Sequence, residues 1–394
     1  MSVAYVSLPP KRSALNDPRV RAVVVQAVVL AAVLALATMI IDNTAANLEQ
    51  QKIASGFGFL GSTAGFDISV HLIPYTPESS YGRAFVVGLL NTLLVAAIGI
   101  VIATVLGFVM GIARLSPNWL IARLASLYVE IVRNVPLLLQ LFFWYFAILA
   151  AMPHPRDSFE LGAGVFLNIR GLYVPRPITE DGFPLVAAVL AFGIGATIVM
   201  ARWARRRREA TGQPFPTGWS GLGLIVGLPG LALFAAGVPI HFEPPELKGF
   251  NFVGGTVLQP EFTALLVGLS AYTAAFIAEN VRSGIQAVSH GQTEAAFALG
   301  LRRGPTLRLI IVPQALRVII PPLTSQYLNL TKNSSLAVAI AYPDLVSVFA
   351  GTVLNQTGQA VEVIIITMAV YLTISLAISL VMNWYNRRVR LVER

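Results

Sequence analysis

The sequence predicts an all-α integral membrane protein of about eight spans, and three observations lead there. Of 394 residues, 56% are apolar and only 12% charged, about half the charge of an ordinary soluble domain. The mean hydropathy of +0.71 is high for a water-soluble chain. Apolar runs recur at the helical length, about 20 residues, that crosses a hydrocarbon core of roughly 30 Å. The lack of cysteine excludes a disulfide framework and a thiolate metal site. A net charge of +9 would suit nucleic acid if the positive residues shared one face. They are spaced between the apolar runs instead, as membrane topology requires.

The spans are placed at 22–41, 85–112, 135–152, 184–201, 219–239, 262–281, 318–341 and 361–383. In the first, only Gln26 and Thr38 interrupt the run from Ala22 to Ile41; a signal peptide's apolar core is usually shorter, about 7–15 residues. In the fifth, Pro229–Gly230 marks a kink, because proline removes a backbone donor. The segments 42–84, 151–183 and 240–261 are rich in Gly, Pro and acids and read as loops with room for short elements. No internal repeat, heptad or low-complexity tract is evident.

Lysine and arginine placement sets the orientation. With the N-terminus inside, 20 of the 28 basic residues fall on inner segments, among them Lys11, Arg12, Arg19, Arg21, Arg114, Arg123, Arg202–Arg208, Arg302 and Arg303, and the tail arginines 387, 388, 390 and 394. Six are outside: Lys52, Arg83, Arg156, Arg170, Arg176 and Lys248. This bias predicts both termini on the cytoplasmic side and an even number of spans.

The most informative stretch runs from Ser289 to Pro313. Ser289 and Gln292 have capping-box spacing, so a helix starts at about His290. Gly300 suits its stop, and Gly304–Pro305 restarts the chain in a second helix. The outcome is a helix of about ten residues, roughly 15 Å long, in a cytoplasmic hairpin. Its run Ala295, Ala296, Phe297, Ala298, Leu299 is too apolar for water and too short for a bilayer, which marks a docking site.

Glu294-Ala295-Ala296, three residues, Gly300, nine residues, then Ile310-x-Val312-Pro313 resembles the "EAA" signature of bacterial binding-protein-dependent ABC importer permeases, with valine at 312 where leucine is usual. The flanks resemble the polar amino acid uptake branch: Ser270-Ala271-Tyr272-Thr273, Glu279-x-x-Arg282-x-Gly284-Ile285, Pro313-Gln314-Ala315, Pro321-Pro322-Leu323, Lys332-Asn333-Ser334-Ser335-Leu336 and, upstream, Tyr128 with Arg133-Asn134-Val135-Pro136. The resemblance implies a type I importer transmembrane domain over 85–390 with a five-helix core. Beside it stand a cytoplasmic segment 1–21, an extra span 22–41, a periplasmic loop 42–84 and an insertion 151–261 carrying two further spans. That layout resembles the larger permeases of general L-amino acid and glutamate/glutamine-type systems. It implies a bacterial inner-membrane location. The implied partners are a second permease subunit, cytoplasmic ATPase subunits holding ATP and Mg, and a periplasmic amino-acid-binding protein. Glu294, Ala295, Ala296, Gly300, Ile310 and Pro313 would carry the ATPase coupling.

Ionisable groups within spans are costly. Glu279 and Arg282, three apart, share a helix face and read as a structural ion pair beside the hairpin; Glu130 and Arg133 repeat the spacing. Lys332 lies among Asn329, Thr331, Asn333, Ser334 and Ser335 in an otherwise apolar span. This polar band either faces the translocation route or fixes packing by interhelical hydrogen bonds. Asn91 and Thr92 are weaker candidates of the same kind. Asp344 and Glu362 are expected near the outer surface, touching a delivery protein or solvated.

The chain has no Gly-Lys dipeptide, hence no Walker-type phosphate loop. It is not an ATPase and holds no cofactor of its own. A secondary transporter driven by an ion gradient is the alternative, but the inverted repeats and broken helices expected of one are not apparent. The four histidines are scattered without ligand spacing, so no metal site or catalytic constellation is expected.

Overall fold

The computed structural model describes residues 18–50, 55–213, 215–238 and 240–389. The predicted inner residues Lys11, Arg12, Arg390 and Arg394, and the outer Lys52, lie outside the described residues. Each of the eight predicted spans meets a helix, and one differs from its prediction in kind.

Helix α1 (Pro18–Gln50) carries the first apolar run and is unburied along its whole membrane-length stretch. Helix α2 (Tyr81–Ala113) begins at Ser80, whose hydroxyl caps the Arg83 N–H. Helix α3 (Trp119–Asn134) starts at an Asn118 cap and is followed by α4 (Leu137–Phe142), which continues as a π-helical stretch Phe143–Leu149.

The third predicted span, 135–152, meets a bent helix pair that forms either a broken span or a re-entrant loop. Its apolar helix covers 137–149 and meets α3 at a bend of 109°. Thirteen helical residues reach only about 20 Å, short of the roughly 30 Å core. The cause is Pro136, whose ring drives Val135 into extended backbone (φ −99°, ψ 129°). Ala125 and Val129, one turn apart, bury one face of α3, while Leu120, Leu124 and Ile131 stay exposed. Among the described residues seven helices are long and apolar enough to span, or eight if the bent pair counts as one.

The segment 151–261 contains a helical pair flanked by strands: β1 (Phe159–Gly162), β2 (Val165–Asn168), β3 (Gly171–Val174), β4 (Arg176–Thr179), α5 (Phe183–Thr211), α6 (Thr217–Leu222), α7 (Leu228–Ala235), β5 (Ile240–Glu243), β6 (Glu246–Lys248), β7 (Asn251–Val253) and β8 (Thr256–Leu258). The predicted loops thus contain antiparallel structure. One sheet has the order β1-β2-β3-β8, and β4 pairs with β5, placing Arg176 opposite Glu243. Because β8 closes onto β3, with Leu172 opposite Leu258, both ends of the insertion are fastened together. At the expected kink, Pro229 stands in the first turn of α7, directly after a π-helical turn, Gly223–Gly227; Thr217–Ala235 runs as one apolar helical stretch.

Helix α8 (Pro260–Gln286) is the centre of the bundle. It lies alongside α2, where Gly107 and Gly111 face Ile277 and Val281 too closely for any side chain, as small residues permit between membrane helices. After α8 come α9 (His290–Ala298), α10 (Arg303–Thr306) and α11 (Val312–Asn333), with a π-helical turn Leu307–Ile311 between the last two. A 3-10 stretch Ser334–Ile340, a π-helical stretch Val346–Val353, α12 (Leu354–Thr357) and α13 (Ala360–Val389) complete the chain. Val281, Ala315, Ile319 and Leu330 share one buried cluster with α2's Ala103.

Candidate functional site

The site is the hairpin between α8 and α11. Helix α9 starts at His290 as its spacing predicts, but the Ser289 hydroxyl makes no cap bond. The Gln292 side chain is turned away to accept a hydrogen bond from Gln314 Nε2 at 3.3 Å, which stitches α9 to α11. At the other end Leu301 N–H donates to the Ala296 carbonyl at 3.0 Å and Gly300 N–H to that of Phe297 at 2.9 Å. These two bonds form a Schellman stop, and Gly300 takes the φ of +77° it needs.

The helix has two faces. Ala296 is 1% exposed and anchors it inward. Outward stand Phe297, Leu299 at 81% exposure, and the small residues Ala295 and Ala298. Glu294 is exposed, its Oε1 3.1 Å from His290 Nδ1. Ile310 and Pro313 are half-buried. Proline occupies the first turn of α11 directly after the π-helical turn, where its missing donor costs little. Exposed apolar surface on a helix stopped this sharply has the physical character of a contact surface.

Directly before the hairpin, Glu279 pairs with Arg282 as predicted, Oε1 to Nη2 at 2.5 Å, and also with Arg114 and with Arg133 at 3.6 Å. One carboxylate therefore ties the ends of α2, α3 and α8 together. Arg133 leans over the Phe276 ring, 5.1 Å from its centroid. Among the described residues no ion pair joins Glu130 to Arg133, correcting that pairing: α3 turns Arg133 toward α8. Arg114 was invisible as a partner because 165 residues separate it from Glu279.

The polar candidates divide. Asn91 is fully buried and its Nδ2 donates to the carbonyls of Val70 and Pro343, both at 2.8 Å. Thr92, also fully buried, donates to the Gly88 carbonyl and accepts from Leu345 N–H, each at 3.0 Å. Ser334 is buried and donates to the Thr331 carbonyl at 2.7 Å. These three make packing contacts. Asn333 is half-buried and Lys332 exposed, with no ion pair among the described residues. Asp344 is 0% exposed, so its expected solvent contact is corrected. Its Oδ1 accepts from Ser347 N–H at 2.8 Å and its Oδ2 from the Tyr371 hydroxyl at 3.4 Å. Glu362 is likewise buried, accepting from Gly56 N–H at 2.6 Å. Among the described residues no group of His, Asp or Glu is arranged to hold a metal.

A multi-pass helical bundle with a projecting, exposed apolar helix fits a membrane protein rather than a soluble enzyme. The chain belongs to the family described as the binding-protein-dependent transport system inner membrane component, whose model matches residues 99–391. It is 52% identical to the general L-amino acid transport system permease AapQ of Rhizobium johnstonii, over 97% of this chain and 96% of that protein. It is 43% identical to the glutamate/glutamine/aspartate/asparagine transport system permease BztB of Rhodobacter capsulatus, over the full length of both. Over 74% of this chain and 81% of the relative it is 27% identical to the glutamate/aspartate import permease GltJ of Escherichia coli.

Proposed function

We propose that this chain is the permease subunit of an ATP-binding-cassette importer that carries L-amino acids across the bacterial inner membrane. The names and near-complete coverage of AapQ and BztB support the cargo class. The observation that carries the mechanism is α9: an exposed apolar helix, held by Ala296 and stopped at Gly300, on a chain without a phosphate loop. Energy therefore enters from a separate ATPase.

In this reading residues 85–390 are the type I transmembrane domain, both termini are cytoplasmic, and the chain pairs with a second permease subunit. ATPase subunits bind ATP and Mg and close on Glu294, Ala295, Ala296, Gly300, Ile310 and Pro313. A periplasmic amino-acid-binding protein delivers cargo at the opposite end. Closure displaces α9, and through the Glu279 clamp the ends of α2, α3 and α8 move with it, rocking the spans between inward- and outward-open states. Lys332 and Asn333 are the candidates for meeting cargo in transit.

The test is a pair of hairpin variants, Glu294→Lys and Gly300→Pro, in the assembled transporter reconstituted in vesicles. Both are expected to abolish ATP-dependent amino-acid uptake and binding-protein stimulation of ATP hydrolysis while the protein stays folded. Normal uptake and stimulation in both would overturn the coupling assignment.

A further inference from the structure

The insertion carries a feature that the transport reading does not use. Helix α5 is apolar from Leu185 to Met200 and then enters Arg202, Trp203, Arg205, Arg206, Arg207 and Arg208, five arginines in seven residues. Against them stands one acid, Glu209, which pairs with Arg205 at 3.1 Å. Arg207 is occupied too: it leans over the Trp203 ring, 5.4 Å to the centroid, and donates to Gln213 at 3.1 Å.

Gly212, at φ +69°, ends α5 and turns the chain back, so that Phe215 meets Trp203 edge-on at 5.4 Å. Between the last turns of α5 and the start of α6 this leaves a cavity of about 210 Å³, lined by Ala204, Arg205, Arg208, Phe215 and Thr217. It is far larger than the roughly 10–15 Å³ that one water needs. Excess positive charge, a hydroxyl and a hollow therefore coincide where the apolar part of a span gives out.

We propose that this cavity binds the phosphate headgroup of an anionic phospholipid. Arg208 supplies a planar fork matched to phosphate oxygens, Arg205 exchanges Glu209 for the ligand or shares both, and Thr217 donates its hydroxyl. The surrounding apolar side chains favour lipid over a free anion. Trp203 has the amphipathic character of a membrane-interface residue, and the α5 surface leading away from it exposes Val199 at 65% and Phe192 at 66%, a wall for acyl chains. Basic pockets between spans at the interface are the known setting for such headgroups.

The test uses the full-length chain in mixed vesicles of phosphatidylglycerol and phosphatidylcholine, extracted gently, with retained lipid counted by native mass spectrometry. Wild type is expected to retain phosphatidylglycerol preferentially. Arg205→Gln with Arg208→Gln should weaken retention about tenfold, the scale of two charge contacts weakened by solvent exposure. Arg202→Gln with Arg206→Gln removes the same charge outside the cavity and should leave retention unchanged; unaltered melting temperatures check folding in both. Equal loss in the two double variants, equal retention of both lipids by wild type, or displacement of the lipid by millimolar inorganic phosphate would each overturn the proposal.

Discussion

Single residues set the strongest local constraints, and they do so through partners far away in the chain. Glu279 faces three guanidinium groups, so Glu279→Gln leaves them crowded with no counter-charge. Removing one partner from a buried ion network costs on the order of 3 kcal/mol; discounted for the residue's partial exposure, a fall of about 2 kcal/mol is expected in detergent unfolding experiments. Arg133→Ala, at the longer and more exposed contact, should cost under about 1 kcal/mol in the same assay. Asn91→Leu orphans the buried Pro343 carbonyl and the partly buried Val70 carbonyl, and should destabilise by about 1–3 kcal/mol. Ala341 offers the opposite sign. It is an exposed non-glycine residue at φ +60°, a conformation that costs roughly 1–2 kcal/mol for an L-residue. Ala341→Gly is expected to raise the melting temperature, and a fall would show that the strain is absent. Only the Glu279–Arg282 pair has a local signature, its spacing of three; Arg114, Arg133 and the carbonyls that Asn91 meets are brought near by the folded bundle alone.

At the scale of elements, apolar length and glycine chemistry were legible. The spans at 22–41, 85–112 and 262–281 each fall inside α1, α2 and α8, because a run of that composition has no stable alternative in lipid. Helix α9 begins and stops where Ser289 and Gly300 place it. What escaped were the places where proline and π-helical turns redirect the chain. Pro136 was visible, yet the apolar residues after it outweighed it, and the bend of 109° followed from the rule for residues preceding proline. Strands β1–β8 escaped for a different reason: they are three or four residues long, too short for alternation to stand out from loop composition. Tight α2–α8 packing gives a prediction at this scale. Gly107→Leu must push α2 off Ile277 and should yield a protein that inserts but loses its cooperative unfolding transition, as followed by tryptophan fluorescence.

The whole molecule consists of a central bundle around α8 and an insertion fastened at its root. Arg176 lies directly opposite Glu243, about 5 Å apart as antiparallel partners are. A two-residue turn can therefore replace everything between them. The chain lacking residues 177–242 is expected to insert, to keep the β3–β8 pairing, and to retain ATP-dependent uptake. Loss of insertion or of uptake would make α5–α7 part of the working core rather than an addition to it.

Helix α1 holds one more consequence. Its greasy stretch ends at Ile41, yet the same helix continues through Asp42, Asn43 and Asn47 to Gln50. Nine further residues carry it about 13 Å past that apolar run. The chain therefore leaves its apolar run as a continuous, largely polar rod rather than as a loop.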